Sequence, residues 1–204
     1  MDPNLLVRWK SMGIKEVISI AEPLIKRFEG WRSKPYLCSA NVPTIGWGST
    51  MYENGDKVTL NDPEITKERG QALFELDAER FLLQVYKACP VLTKHDNKAA
   101  AILSWTYNLG AARLRASTMR TRINQERWVE AVQELKRWNL AAGKVTRGLI
   151  LRREAEASLF LSPSNNKAKD SNVNKDEEPF EKSLVSVLVS YDKIIRIADT
   201  KHKP

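Results

Sequence analysis

With 204 residues, 42% of them apolar and six of them tryptophan, the chain can build one cored domain and still carry an appendage. Its formal charge of +8 favours a polyanionic partner, be it nucleic acid, an anionic membrane or a cell-wall polymer, although the same charge also serves plain solubility. No run approaches the ~18 apolar residues of a membrane helix, and two cysteines, Cys38 and Cys89, make no disulfide framework.

Residues 1–13 contain Pro3 and Gly13 and read as an N-terminal arm. They lack a basic stretch leading into an apolar one, so neither a signal peptide nor a signal-anchor is expected. In residues 14–28 the positions Ile14, Val17, Ile18, Ala21, Leu24, Ile25 and Phe28 approach the spacing of one amphipathic helix. Pro23 should kink or split it. Glu29 falls at its last turn, just before Gly30, a natural stop. Residues 34–37 and 42–47 then read as strands, separated by Ser39-Ala40-Asn41. Gly46 and Gly48 flank Trp47, where the backbone can bend sharply or approach a ligand. The sheet region should run to residue 59, with Asn54-Gly55 as a turn.

Thr66 opens a helix that should continue to about Lys87, ended by Cys89-Pro90. A second helix is expected from His95 to Leu109, stopped by Gly110, and a short third over 115–123. A fourth should cover 126–141, with Trp128, Val129, Val132, Leu135 and Trp138 on or near one face and Gly143 as its end. The fifth, 149–161, should pack through Leu149, Ile150, Ala155 and Leu159. Residues 162–179 have linker composition. Beyond them, 180–204 places Phe180, Leu184, Val187, Leu188, Tyr191, Ile194, Ile195 and Ala198 at helical spacing, with strand an alternative for 184–189. From Pro163 onward eight Lys and Arg face seven Asp and Glu, so +7 of the charge belongs to the body.

Several side chains carry candidate chemistry. Glu29 suits a general acid if an apolar wall raises its pKa, and Phe28, Trp31 and Tyr36 are near enough in sequence to form one; a surface glutamate at a helix end is the plain alternative. Cys38 can act as a base or orient a water, with Lys34 and Arg32 placed to favour its thiolate, or it can be a buried structural thiol. Thr44 can hold the same water or simply favour a strand. Arg152 and Arg153 can reach Glu29, which would work against an acid unless Glu154, Glu156 or a substrate carboxylate shares them; solvated helix charges are the simpler account for at least one. His95 and His202 are too few and too scattered for a metal site, so no metal or cofactor is expected.

Glu29, eight residues, Cys38, five residues and Thr44, with Phe28-Glu29-Gly30 around the first and Pro43-Thr44-Ile45-Gly46 around the last, resemble the catalytic signature of the phage-type muramidases (endolysins), glycoside hydrolase family 24. Two further blocks extend the resemblance across residues 18–161: SWTYNLG at 104–110 and WNLAAGKVTRGLILRREAEASLF at 138–160. Ser49 stands where the family usually has His. The resemblance implies an α+β, mainly α, lysozyme-like fold, with a small antiparallel sheet lobe and a helical lobe. The domain would be 14–161, with a C-terminal tail helix beyond the linker. It implies hydrolysis of peptidoglycan between N-acetylmuramic acid and N-acetylglucosamine by a monomer that binds no nucleic acid. The enzyme would be made in the host cytoplasm and reach the wall after a separate protein permeabilises the membrane. Glu29, Cys38 and Thr44 become the catalytic candidates, and Tyr36, Thr50, Tyr107 and Asn108 the substrate-binding ones. For Tyr107 and Asn108, core packing and helix termination are an equal reading. A lytic transglycosylase, or a non-catalytic wall or nucleic-acid binder, remain as alternatives.

Overall fold

The computed structural model describes residues 13–38 and 40–163. The arm up to residue 12, most of the expected linker and the 180–204 segment lie outside the described residues.

The chain opens with helix α1 (Ile14–Glu29), whose buried face is Ile14, Val17, Ile18, Ala21 and Ile25. The helix runs through Pro23 without a break. Pro23 cannot donate to the carbonyl of Ser19, but both residues sit on the exposed face, where water can satisfy that carbonyl. Strands β1 (Arg32–Leu37) and β2 (Pro43–Gly46) follow as an antiparallel pair, with Tyr36 opposite Thr44 and Leu37 opposite Pro43. Asn54-Gly55 forms the expected turn, bracketed by a bridge between Met51 and Lys57. Beneath this sheet Ile45, Val58 and Leu73 make a small core, closed by Tyr52 and Ile65.

Helix α2 (Lys67–Ala88) is capped by the Thr66 side chain, which accepts from the Arg69 amide. At 22 residues it spans about 33 Å. Its first turns meet the sheet and its last meet a short 3-10 segment, Pro90–Lys94. At the sheet end Gly70 lies under Trp31, whose ring is 4.5 Å from that of Trp47, and Lys26 Nζ sits 3.9 Å over the Trp47 ring. A Cβ on Gly70 would stand 2.3 Å and 2.6 Å from two Trp31 ring carbons. Gly70→Ala is therefore expected to cost about 1–3 kcal/mol by overpacking, read as a lower midpoint in thermal or urea denaturation.

Helix α3 (Asp96–Leu109) is the centre of the helical part, packing against α1, α2 and the last helix. It is buried almost all round from Ala99 to Thr106. Ala99, Ala100 and Ala101 let neighbours approach closely, while Trp105 fills space and meets Trp138 edge-on at 5.1 Å.

Three expectations after this point need correction. The short helix expected at 115–123 is two helices, α4 (Ala111–Ala116) and α5 (Thr118–Asn124), because Ser117 leaves the helix and its hydroxyl caps the Arg120 amide. The helix expected over 126–141 is α6 (Trp128–Lys136) only. Leu140–Ala141 and Lys144–Val145 form a hairpin, β3–β4, turned by Ala142 and Gly143 at φ 48° and 76°. Gly143 thus makes a turn rather than ending a helix, and Val129, expected on the apolar face, is exposed. Finally α7 (Arg147–Leu161) does not pack mainly through Leu149, Ile150 and Ala155. It buries Arg152, Arg153 and Glu156 with Ala157, Leu159 and Phe160.

Candidate functional site

Glu29 is delivered by the last turn of α1. Gly30 follows at φ 71°, a left-handed conformation that costs glycine little, and the chain turns directly towards β1. The Glu29 side chain keeps 19% of its exposure. Its Oε1 accepts a 2.6 Å bond from Arg152 Nη1. Its Oε2 lies over Gly48: a Cβ there would be 3.5 Å from Oε2 and 3.4 Å from Tyr107 Cε1. Of the two glycines around Trp47, Gly48 thus brings loop backbone close to the Glu29 carboxyl, while Gly46 faces Ile65, Gly70 and Trp31. That loop is tight, with the Ser49 amide donating back to the Ile45 carbonyl at 2.9 Å.

Tyr107 pins the same loop. Its hydroxyl donates to the Trp47 carbonyl at 3.2 Å, and its ring packs on Phe74 and Phe81 of α2. Burial holds its phenol well above the usual pKa. Ser49, where the resembled family has His, is buried beside Asp77 and Tyr107. Burial raises the Asp77 pKa, and the Ser49 hydroxyl and Arg80 pull it back.

The β1–β2 hairpin carries the other catalytic candidates. Cys38 closes the turn, donating its amide to the Val42 carbonyl and accepting from the Asn41 amide. Thr44, 2% exposed, donates its hydroxyl to the Val42 carbonyl at 2.9 Å and lies beside the Cys38 sulfur. The Cys38 pKa is lowered, first by the Val42 backbone, then by that of Ala40 and by the Thr44 hydroxyl, against a desolvation penalty. The expectation that Lys34 and Arg32 would do this is corrected: the turn does it, and Arg32 stacks over the Tyr36 ring at 5.2 Å. The buried-thiol reading fits Cys89 instead, whose pKa burial pushes up to about 12. Both cysteines are free. Tyr36 feels both Glu29 and Cys38, since burial and then their charges raise its phenol pKa.

The other named candidates are placed as follows. Asn108 accepts from Arg153 Nη2 at 3.1 Å, so its side chain serves the network behind the acid. Thr50 is exposed, and its carbonyl accepts from Val58 in the next turn. Solvation, the simpler account for at least one of Arg152 and Arg153, fits neither, since they are 4% and 1% exposed; the expected reach to Glu29 is made by Arg152. Glu156, not singled out as a site residue from sequence, is fully buried between them. Its Oε1 accepts from Ser104 Oγ (2.8 Å), Arg152 Nε (3.1 Å) and Arg153 Nη2 (3.1 Å). Glu154, the other expected partner, pairs with Lys136 instead. The available signal was the spacing: Arg152 and Arg153 precede Glu156 by four and three residues, on one helical face.

A family model described as Phage lysozyme matches residues 26–156. The endolysin of Bacillus phage B103 is 33% identical over 139 residues, 68% of this chain and 51% of that protein. The chain thus spans about half the length of the first curated relatives it matches. Among solved structures, an endolysin from Escherichia coli O157:H7 phage FAHEc1 superposes with a TM-score of 0.62 at 32% identity, covering 76% of this chain and 94% of that one. The muramidase domain of SpmX from Asticaccaulis excentricus gives 0.58 at 29% identity, covering 71% and 96%.

Proposed function

This chain belongs to the phage lysozyme family, and on that premise we propose that it is a muramidase, hydrolysing the β-1,4 bond between N-acetylmuramic acid and N-acetylglucosamine of peptidoglycan in host-cell lysis. The observation that carries the proposal is the Glu29 carboxyl, with Oε1 tied to Arg152 and Oε2 set against the bare backbone of Gly48. Because Oε1 is occupied by a donor, the proton of the acid form resides on Oε2. That oxygen protonates the glycosidic oxygen as the bond breaks.

Cys38 and Thr44 then hold the water that attacks the anomeric carbon, with inversion. The lowered Cys38 pKa supports this role, since a larger thiolate fraction accepts the water's proton more readily. The Thr44 hydroxyl lies beside that sulfur and has lone pairs left to orient the same water. Tyr36 feels both Glu29 and Cys38 and offers a ring on which a sugar can rest.

Loss of turbidity of purified cell wall separates this reading from a non-catalytic binder, which would leave the wall intact. Cys38→Asp is expected to keep much of the activity, because a carboxylate can accept the same proton. Cys38→Ala together with Thr44→Ala is expected to lose about 10²-fold or more. Full activity in the double variant would mean that no held water is needed.

A further inference from the structure

Arg152 poses a problem for an acid, because a guanidinium against a carboxylate favours the ionised form. Its three nitrogens are all committed: Nη1 to Glu29 Oε1, Nε to Glu156 Oε1 and Nη2 to the Ser104 carbonyl. Arg153 stands behind, with Nε 2.9 Å from Glu156 Oε2 and Nη2 on Glu156 Oε1 and Asn108 Oδ1. Two guanidiniums therefore meet two carboxylates, one in the cleft and one wholly buried.

We propose that Glu156 is a positioning residue for Glu29: it fixes the Arg152 guanidinium and divides its charge, so that Glu29 can take up its proton at the working pH. Without Glu156, both guanidiniums would face Glu29 as their one carboxylate in this cluster. With Glu156 ionised and in place, protonating Glu29 leaves the group at a net charge of +1 rather than +2. The arrangement is asymmetric. Glu156 is out of reach of solvent and its polar partners among the described residues are Ser104 and the two arginines, whereas Glu29 retains exposure. Burial opposes ionisation of Glu156 and of Arg153, and each is the other's chief opposing charge. The remaining groups around Glu29 among the described residues are Tyr36 of β1 and Tyr107 of α3, with Cys38 and Arg32 beside Tyr36 and Asp77 of α2 behind Tyr107. The Phe28 ring packs 5.6 Å from the Arg152 guanidinium and keeps that side apolar.

This inference rests on Glu29 as the acid, so its test has two readouts: the carbon-NMR titration of the Glu29 carboxyl, and the alkaline limb of wall lysis against pH. Glu156→Gln removes a negative charge and should lower both by about one pH unit. Arg153→Gln removes a positive charge that pairs with Glu156 and also acts on Glu29 through space, and should raise both. The double variant should return both close to the parent. A purely structural role would make the two single variants less stable without moving the titration in opposite directions. If Glu156→Gln does not fold, Arg153→Gln and the double variant carry the test. A Glu29 titration that stays within about 0.3 unit of the parent, or shifts the same way in both single variants, overturns the proposal. A titration that moves as expected while the lysis limb stays fixed supports the charge coupling and overturns Glu29 as the acid.

Discussion

Glu29→Gln is expected to fold as the parent does and to lose wall lysis by 10²–10⁴-fold, on the order of 3–5 kcal/mol of transition-state stabilisation. The variant is nearly isosteric, and its amide oxygen can still accept from Arg152 Nη1, so α1, Gly48 and the guanidinium should keep their places. What it lacks is a transferable proton on the atom facing Gly48. Cys38 does not replace it, because the Cys38 thiol sits on the β1–β2 hairpin, where its turn favours the thiolate. Equal melting profiles with abolished turbidity loss would isolate the proton as the missing element. A variant that kept more than about a tenth of the activity would remove Glu29 from the acid's role.

Trp105→Ala should be the most damaging single truncation in the core. Trp105 is fully buried on α3, the helix against which α1, α2 and α7 all pack. Truncating a buried tryptophan costs about 3–5 kcal/mol through lost transfer energy and residual cavity. A domain of this size has only about 5–15 kcal/mol of stability in total, so the melting temperature should fall by about 6–20 °C. Trp138, its edge-on partner, is half-buried, and Trp138→Ala should cost clearly less. A Trp105→Ala protein within about 1 kcal/mol of the parent in urea denaturation would mean that α3 is not the organising helix.

What could be read from the chain alone was what depends on near neighbours. Gly30 and Gly110 announced the ends of α1 and α3 because a left-handed φ is a local demand. Thr66 announced the start of α2 for the same kind of reason, a hydroxyl within reach of an orphan amide. Glu29, Cys38 and Thr44 were named through their resemblance to a family signature, and the hairpin and helix end around them were legible as turns. What could not be read depends on partners far away in sequence. For Arg152 and Arg153 the local window offered a pairing with Glu29 shared by Glu156, which the structure bears out, and solvation for at least one of them, which it does not. They are buried because Glu29, Ser104 and Asn108 arrive from 45 to 123 residues away. The hairpin after α6 was hidden for a different reason: the apolar spacing of that helix continues by chance through Trp138, and only the pairing of Leu140 with Val145 reveals the turn at Gly143. The loop at Gly46 and Gly48 falls between these cases. Its flexibility was evident, but not that Gly48 would lie against the carboxyl of Glu29.

The most direct test of the central claim, that Glu29 protonates the leaving oxygen while a water held by Cys38 and Thr44 attacks, is the mass of the muropeptides released from purified peptidoglycan. Only one carboxyl belongs to the Glu29, Cys38 and Thr44 set, and one is enough for a transglycosylase, in which the sugar's own 6-hydroxyl displaces the leaving group. Hydrolysis adds one water at every cut and leaves reducing muramic acid ends, which is the result predicted here. A digest dominated by anhydro-muropeptides, each lighter by one water, would contradict it.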